Sequence, residues 1–363
     1  MKLFLCGDVM TARGIDQILP HPSDPVLHEG YVKSALEYLR LAEARNGPIP
    51  RPADPAYIWG DALAELEHAA PAARIVNLET AVTASDDWLQ KGINYRMHPA
   101  NVACLSAARI SCCALANNHV LDWGRSGLLE TLATLHAAGL KTAGAGAGRA
   151  MAEAPAALPL DGARRLLVFS FGMESSGVPP AWAARTDAPG VDFLPDLSAE
   201  SVARVADRVR AAAASDDRVL ASIHWGPNWG YDTSDAERRF ARQLIERAGV
   251  DLVHGHSSHH PKGIEVHRGK LILYGCGDFI NDYEGIGGHE AFRGDLGLMY
   301  FPTLDPASGR LLQLELVPTK LVRFRVTRAG AADARWLCDT LDRESRRFGA
   351  RIGMRADGRI ELQ

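Results

Sequence analysis

Val250-Asp-Leu-Val-His254-Gly-His256-Ser-Ser-His259-His260 is a short apolar run that stops in a cluster of histidines. A run this short reads as a strand buried on both faces. The same form recurs upstream. Apolar runs stop at Asp8, at Asn77 and Glu79, at Asn117, Asn118 and His119, and at His224. Five sequence-distant clusters of metal-ligand side chains, each at the end of an expected strand, point to one shared site.

Working outward, strand-like runs occupy residues 2–6, 74–76, 110–116, 165–171, 218–224, 250–254 and 270–275. Alanine- and leucine-rich segments with helical spacing lie between them, near 61–70, 125–139, 199–214 and 234–248. Gly139 and Gly249 close two of these helices. The alternation predicts an α/β fold with layered sheets.

Residues 20–60 interrupt it. Pro20, Pro22, Pro25, Pro48, Pro50, Pro52 and Pro55 surround one helical piece at 31–45, as expected of an insertion that serves as a lid or as packed surface. After residue 295 the pattern changes to antiparallel strands at 296–302 and 311–327, joined by a turn at 305–309, and a helix near 331–348. The expected organisation is a main domain over 1–294 and a strand and helix extension over 295–363.

A net charge of −4 gives no broad basic footprint, which argues against a nucleic-acid partner. The six cysteines form no CxxC pair and read as buried thiols. Met1 to Cys6 is too short for a signal-peptide apolar region, and no stretch approaches the ~20 residues of a membrane span. A cytoplasmic protein without a membrane span is expected; the oligomeric state is open.

Asp8 follows Gly7 at a strand end, where a carboxylate binds hard metals or caps a helix. Asn77 and Glu79 share one face of an extended chain, suited to a cation or to a capping network. Asn118 and His119 offer one ligand and one proton donor, beside Asn117. His224 gains weight from this company. Among the four histidines at 254–260, His256 and His259 are the expected ligands, with His254 and His260 supporting them. Asp278, in Gly277-Asp-Phe, closes the site or caps its loop.

Gly7-Asp-Val-Met10, Asn77-Leu-Glu79, Asn117-Asn-His119, His224-Trp-Gly226 and the segment from Gly255 to Phe279 together resemble the CapA family, named for poly-γ-glutamate capsule synthesis, within the calcineurin-like metallophosphoesterase superfamily. The resemblance spans about residues 2–282. It implies a four-layer α-β-β-α sandwich with metal at the strand ends. It further implies that Asp8 binds one metal, Glu79 bridges, Asn118 and His224 hold the second, and His256 and His259 complete the pair. His119 would stabilise the transition state and protonate the leaving group, with Asp8 also in the catalytic set.

The chain departs from the superfamily pattern at four places. Met10 replaces a usual histidine, Glu79 a usual aspartate, Gly255-His-Ser-Ser-His259 stretches Gly-His-x-His, and Asp278 stands where CapA proteins usually have asparagine. Two functions follow. One is a metal-dependent hydrolase acting on a phosphoester or γ-glutamyl-type amide through metal-activated water. The other is a non-hydrolytic protein that binds a glutamyl polymer or peptide with a degenerate site. Either implies a small-molecule or peptide-like anionic ligand and one or two divalent cations, with manganese, iron and zinc equally suited to the mixed donors.

For the anionic group, Lys91-Gly-Ile-Asn-Tyr-Arg96-Met-His98 supplies cations and an aromatic side chain. Arg96 and His98 are the substrate-binding candidates, with Asn77, Asn117 and Trp225 as further pocket residues.

Overall fold

The apolar runs form parallel strands. In the computed structural model, which describes residues 1–363, Leu3–Val9, Ala73–Leu78, Cys112–Ala114 and Lys141–Ala143 lie side by side and parallel. On the other edge of Leu3–Val9, the strand Leu296–Leu304 pairs antiparallel, placing Leu5 opposite Tyr300. Leu311–Val322, Ile360–Leu362 and Ile352–Met354 then extend this sheet. The segment after residue 295 therefore continues the sheet that carries Asp8.

A second sheet runs Ile264–His267, Lys270–Leu273, Leu252–His256, Arg218–His224, Arg165–Gly172 and Ala156–Pro159. Its four inner strands are parallel. Period two divides each strand between two cores. Leu3, Leu5 and Ile75 meet Leu166, Val168, Leu220 and Leu252 in a core shared by both sheets. Phe4, Cys6 and Val76 face Leu39, Leu66 and Leu128, which lie on the helices Ala35–Asn46, Ala62–Ala69 and Gly124–Ala137. On the far side, Phe169, Val219 and Ile223 meet Val205 of Ala199–Ala212 and Phe240 of Asp235–Arg247. Burial on both faces explains why these strands read as unbroken apolar runs.

The α/β expectation holds, and the strands and helices lie close to the expected ranges. The stretch expected as a strand over 311–327 is two strands, Leu311–Val322 and Arg325–Arg328, paired antiparallel. Arg323 and Phe324 turn the chain between them with φ of 57° and 55°. The insertion packs inward through Tyr38, Leu39, Ile49 and Trp59. No helix is long and apolar enough to cross a membrane.

One glycine fixes how the strand ends meet. A Cβ on Gly7 would lie 1.6 Å from the Gly277 carbonyl oxygen, which accepts a 2.9 Å bond from the Asp8 amide. Any side chain at residue 7 must push apart the two segments that carry Asp8 and Asp278. Gly7→Ala is expected to destabilise the fold by about 3 kcal/mol or more, read as a lower denaturant midpoint. An unchanged midpoint would show that the strands relax freely.

Candidate metal centre

Parallel pairing delivers the polar residues to one edge. Asp8 lies in register with Asn77 on one side and Asp278 on the other, and His224 lies opposite His256. Asp8, Asn77, Asn117, His224, His254 and His256 are almost completely inaccessible to solvent. Buried polar groups persist only when they are partnered, so their contacts define the site.

Asp8 sits at the centre. One carboxylate oxygen accepts from the Asn77 amide at 2.8 Å and the other from the Ser257 backbone N–H at 3.2 Å. Ser257 makes that contact with φ of 100°, a strained conformation for a side-chain-bearing residue. The chain continues from Asn77. Asn117 donates to Asn77 Oδ1 at 3.1 Å and to the Leu78 carbonyl at 2.8 Å, and its own Oδ1 accepts from the His119 amide at 3.1 Å.

The histidines of the second sheet are oriented in series. His254 Nε2 reaches the Cys6 carbonyl at 2.8 Å, and a carbonyl only accepts, so this nitrogen carries the proton. His254 Nδ1 then accepts from the Ser222 hydroxyl at 3.1 Å, and Ser222 accepts from His256 Nε2 at 2.8 Å. His256 Nδ1 is left with its lone pair. It lies 2.8 Å from His224 Nδ1 and 4.0 Å from Asp8. His224 Nε2 meets Asn118 Oδ1 at 3.1 Å and lies 3.8 Å from Glu79.

Ser222→Ala removes the hydroxyl that fixes His256. It is expected to weaken divalent-cation affinity about 10-fold or more while the protein stays folded. Equilibrium titration with manganese checks this, and unchanged affinity would remove Ser222 from the site.

On the opposite flank, His259 Nδ1 bonds Asp278 at 2.9 Å and its Nε2 meets the Asn228 amide at 3.0 Å. Asn281 donates to the second Asp278 oxygen at 2.9 Å. His119 Nδ1 bonds Asp122 at 2.6 Å, its ring stacks on Tyr95 at 3.9 Å, and its Nε2 lies 3.9 Å from Glu79.

Charge states follow from burial. Burial, then the nearby Asp278 carboxylate, raises Asp8 to about 7. Glu79 is also raised, by burial first and by Asp8 second. Burial lowers His224 and His256, which keeps both imidazoles neutral, and pushes His119 and His254 down to about 4. For His259 burial opposes protonation, but the Asp278 contact outweighs it and the net shift is upward.

These residues fit a divalent cation. Ligand atoms of Asp8, His224 and His256 lie within 4.8 Å of one another, and so do those of Asp8, His259 and Asp278. Asp8 belongs to both groups. Asp8 and Glu79, whose ionisation burial opposes, lie with the neutral imidazoles of His224 and His256 in a donor set that a cation would neutralise.

Met10, which stands in place of the usual histidine, and several expected site residues lie apart from these groups. Met10 is buried against Ala12 and Tyr95, where its sulfur accepts the Ala12 N–H. Arg96 lies over the Trp123 ring at 3.8 Å and bonds Ser85 and Asp86. His98 Nδ1 accepts from Ala100 at the start of a short helix. Trp225 packs into the second sheet's outer core and donates to the Tyr274 carbonyl. His260 accepts from the Gly230 N–H and stacks on Phe292.

Ser222, Asp122 and the Tyr95 stack were missed. Ser222 precedes His224 by two residues and so shares its strand face, a signal open to a period-two reading. Asp122 follows His119 by three residues in a turn, where spacing carries no rule of contact.

Comparison with known proteins matches residues 2–283 to the family model described as bacterial capsule synthesis protein. The chain is 50% identical over 364 aligned residues to a Mycobacterium tuberculosis protein named as a probable polyglutamine synthesis accessory protein, covering 100% of this chain and 96% of that one. It is 28% identical over 209 residues to the Bacillus subtilis PGA biosynthesis protein CapA, covering 57% of this chain and 52% of that protein. With the Bacillus anthracis capsule biosynthesis protein CapA it shares 25% identity over 192 residues, or 53% and 45% of the two chains.

Proposed function

The chain belongs to the bacterial capsule synthesis protein family, and from that membership and the donor geometry we propose that it is a metal-dependent hydrolase. Its substrate is a phosphoester or a γ-glutamyl-type amide. The observation that carries this reading is the sharing of Asp8 between two donor groups, an arrangement that suits two adjacent cations better than a structural ion pair. Asp8, His224 and His256, with Glu79 and Asn118 beside them, would hold one cation, and Asp8, His259 and Asp278 the other. Asp278 takes a direct place here instead of a supporting one, and supplies the donor that Met10 does not. A bound divalent cation polarises the scissile group and lowers the pKa of a water molecule.

The chain's own residues do the rest. Asp122 holds the Nδ1 side of His119, so Nε2 is the atom that exchanges a proton with the substrate's leaving group. Tyr95, stacked on the ring, fixes its plane. Asn77 and Asn117 tie Asp8 to the His119 backbone, so proton-transfer group and ligands move as one unit. Names that mention polyglutamine synthesis and capsule biosynthesis among the relatives favour the glutamyl amide.

The test is turnover of phosphodiester and γ-glutamyl substrates by purified protein after chelation and add-back of manganese, iron or zinc. Loss on chelation, recovery on add-back and loss in His224→Ala are expected. Turnover that ignores both chelation and His224→Ala contradicts the reading. A second reading, a non-hydrolytic polymer-handling protein, is favoured by the apolar seat of Met10; metal uptake with no turnover on either substrate class would select it.

A further inference from the structure

Cations in the donor groups would attract anions without distinguishing among them, so orientation and choice of substrate fall to charged side chains at the rim. Arg13 is close but committed, because its three nitrogens all bond Asp282 or Glu29 in a buried cluster. Arg96 is held by Trp123 and Ser85. Lys91 differs. Its ammonium donates to the Asn118 carbonyl and, at 2.7 Å, to Asp122, and it lies 5.2 Å from the Trp182 ring centre. An ammonium has three protons, so one is uncommitted. The side chain is 23% exposed, whereas its partner Asp122 is fully covered. Lys91 and His119 bond the two oxygens of the same Asp122 carboxylate, which places the ammonium beside the His119 ring.

We propose that Lys91 binds an anionic oxygen of the substrate, a carboxylate or a phosphate, beside His119, and so determines specificity. This deepens the hydrolase reading and rests on it. The Asn118 and Asp122 bonds hold the ammonium in place before substrate arrives, so little side-chain freedom is lost on binding.

The experiment is calorimetric titration of inorganic phosphate and of γ-glutamylglutamate into metal-loaded wild type, Lys91→Gln and Lys91→Arg, with metal content measured on each sample. Lys91→Gln keeps an N–H donor for the Asn118 carbonyl but loses the charge. The expected result is about 10-fold or greater weakening of at least one anion in Lys91→Gln at unchanged metal content, with Lys91→Arg close to wild type. The anion that weakens identifies phosphate or carboxylate as the source. Unchanged binding in Lys91→Gln, equal losses in both variants, or a wild type that binds neither anion overturns the proposal. A protein that takes up no metal sinks the hydrolase reading instead, and the same comparison on the metal-free protein still decides the role of Lys91.

Discussion

Asp8→Ala is expected to abolish tight binding of divalent cations at both donor groups, because its carboxylate is the one donor they share. Loss of a supporting contact to a ligand typically costs 10–100-fold in affinity, so removal of the ligand itself should cost more than about 100-fold. The substitution also removes a buried charge whose ionisation is opposed by burial and by Asp278. Against that gain, the Asn77 amide and the Ser257 N–H lose their acceptor, at about 1–3 kcal/mol, so the metal-free fold should survive with a denaturant midpoint at or slightly below that of wild type after chelation. The two measurements together separate loss of metal from loss of fold. Wild-type affinity in Asp8→Ala would mean that the two groups do not share a ligand.

His119→Ala has the second large expected effect. The ring lies 3.9 Å from Glu79 through Nε2, is anchored by Asp122 through Nδ1, and is stacked on Tyr95. It contacts no member of the two donor groups in a hydrogen bond, so its removal should leave metal content unchanged. General acid or base assistance contributes about 10²–10⁴-fold, and turnover should fall by that factor. Asp122→Asn should fall in the same direction by a smaller factor, since the ring stays but its tautomer is no longer fixed. Loss of metal in His119→Ala would move this histidine into the ligand set, and full turnover would remove it from the chemistry.

The fold was legible because parallel strands buried on both faces leave continuous apolar runs, and because the chain places its polar residues where those runs stop. Val219 to His224 carries both signals in one line of sequence. The edge strands Ala156–Pro159 and Ile264–His267 lacked such runs, since each pairs on one side only and carries partly exposed residues. The split at Arg323 and Phe324 was hidden because neither residue is a usual turn former.

Within the site, Asp8, His224 and His256 could be placed together from strand ends alone. Asp278 looked peripheral because its closeness to Asp8 arises from pairing between segments far apart in sequence. Arg96 and His98 looked suitable by charge, yet local partners hold both: Trp123 and Asp86 for one, the amide of Ala100 for the other. Charge in a loop says nothing about direction. Lys91, in the same loop, points at Asn118 and Asp122 because those two acceptors converge on its ammonium.

Divalent cations held between these side chains at the strand ends are visible by anomalous diffraction from crystals grown with manganese. One peak coordinated by Asp8, His224 and His256 and a second by Asp8, His259 and Asp278 are expected. A well-ordered site with no anomalous peak at either position would contradict metal binding there.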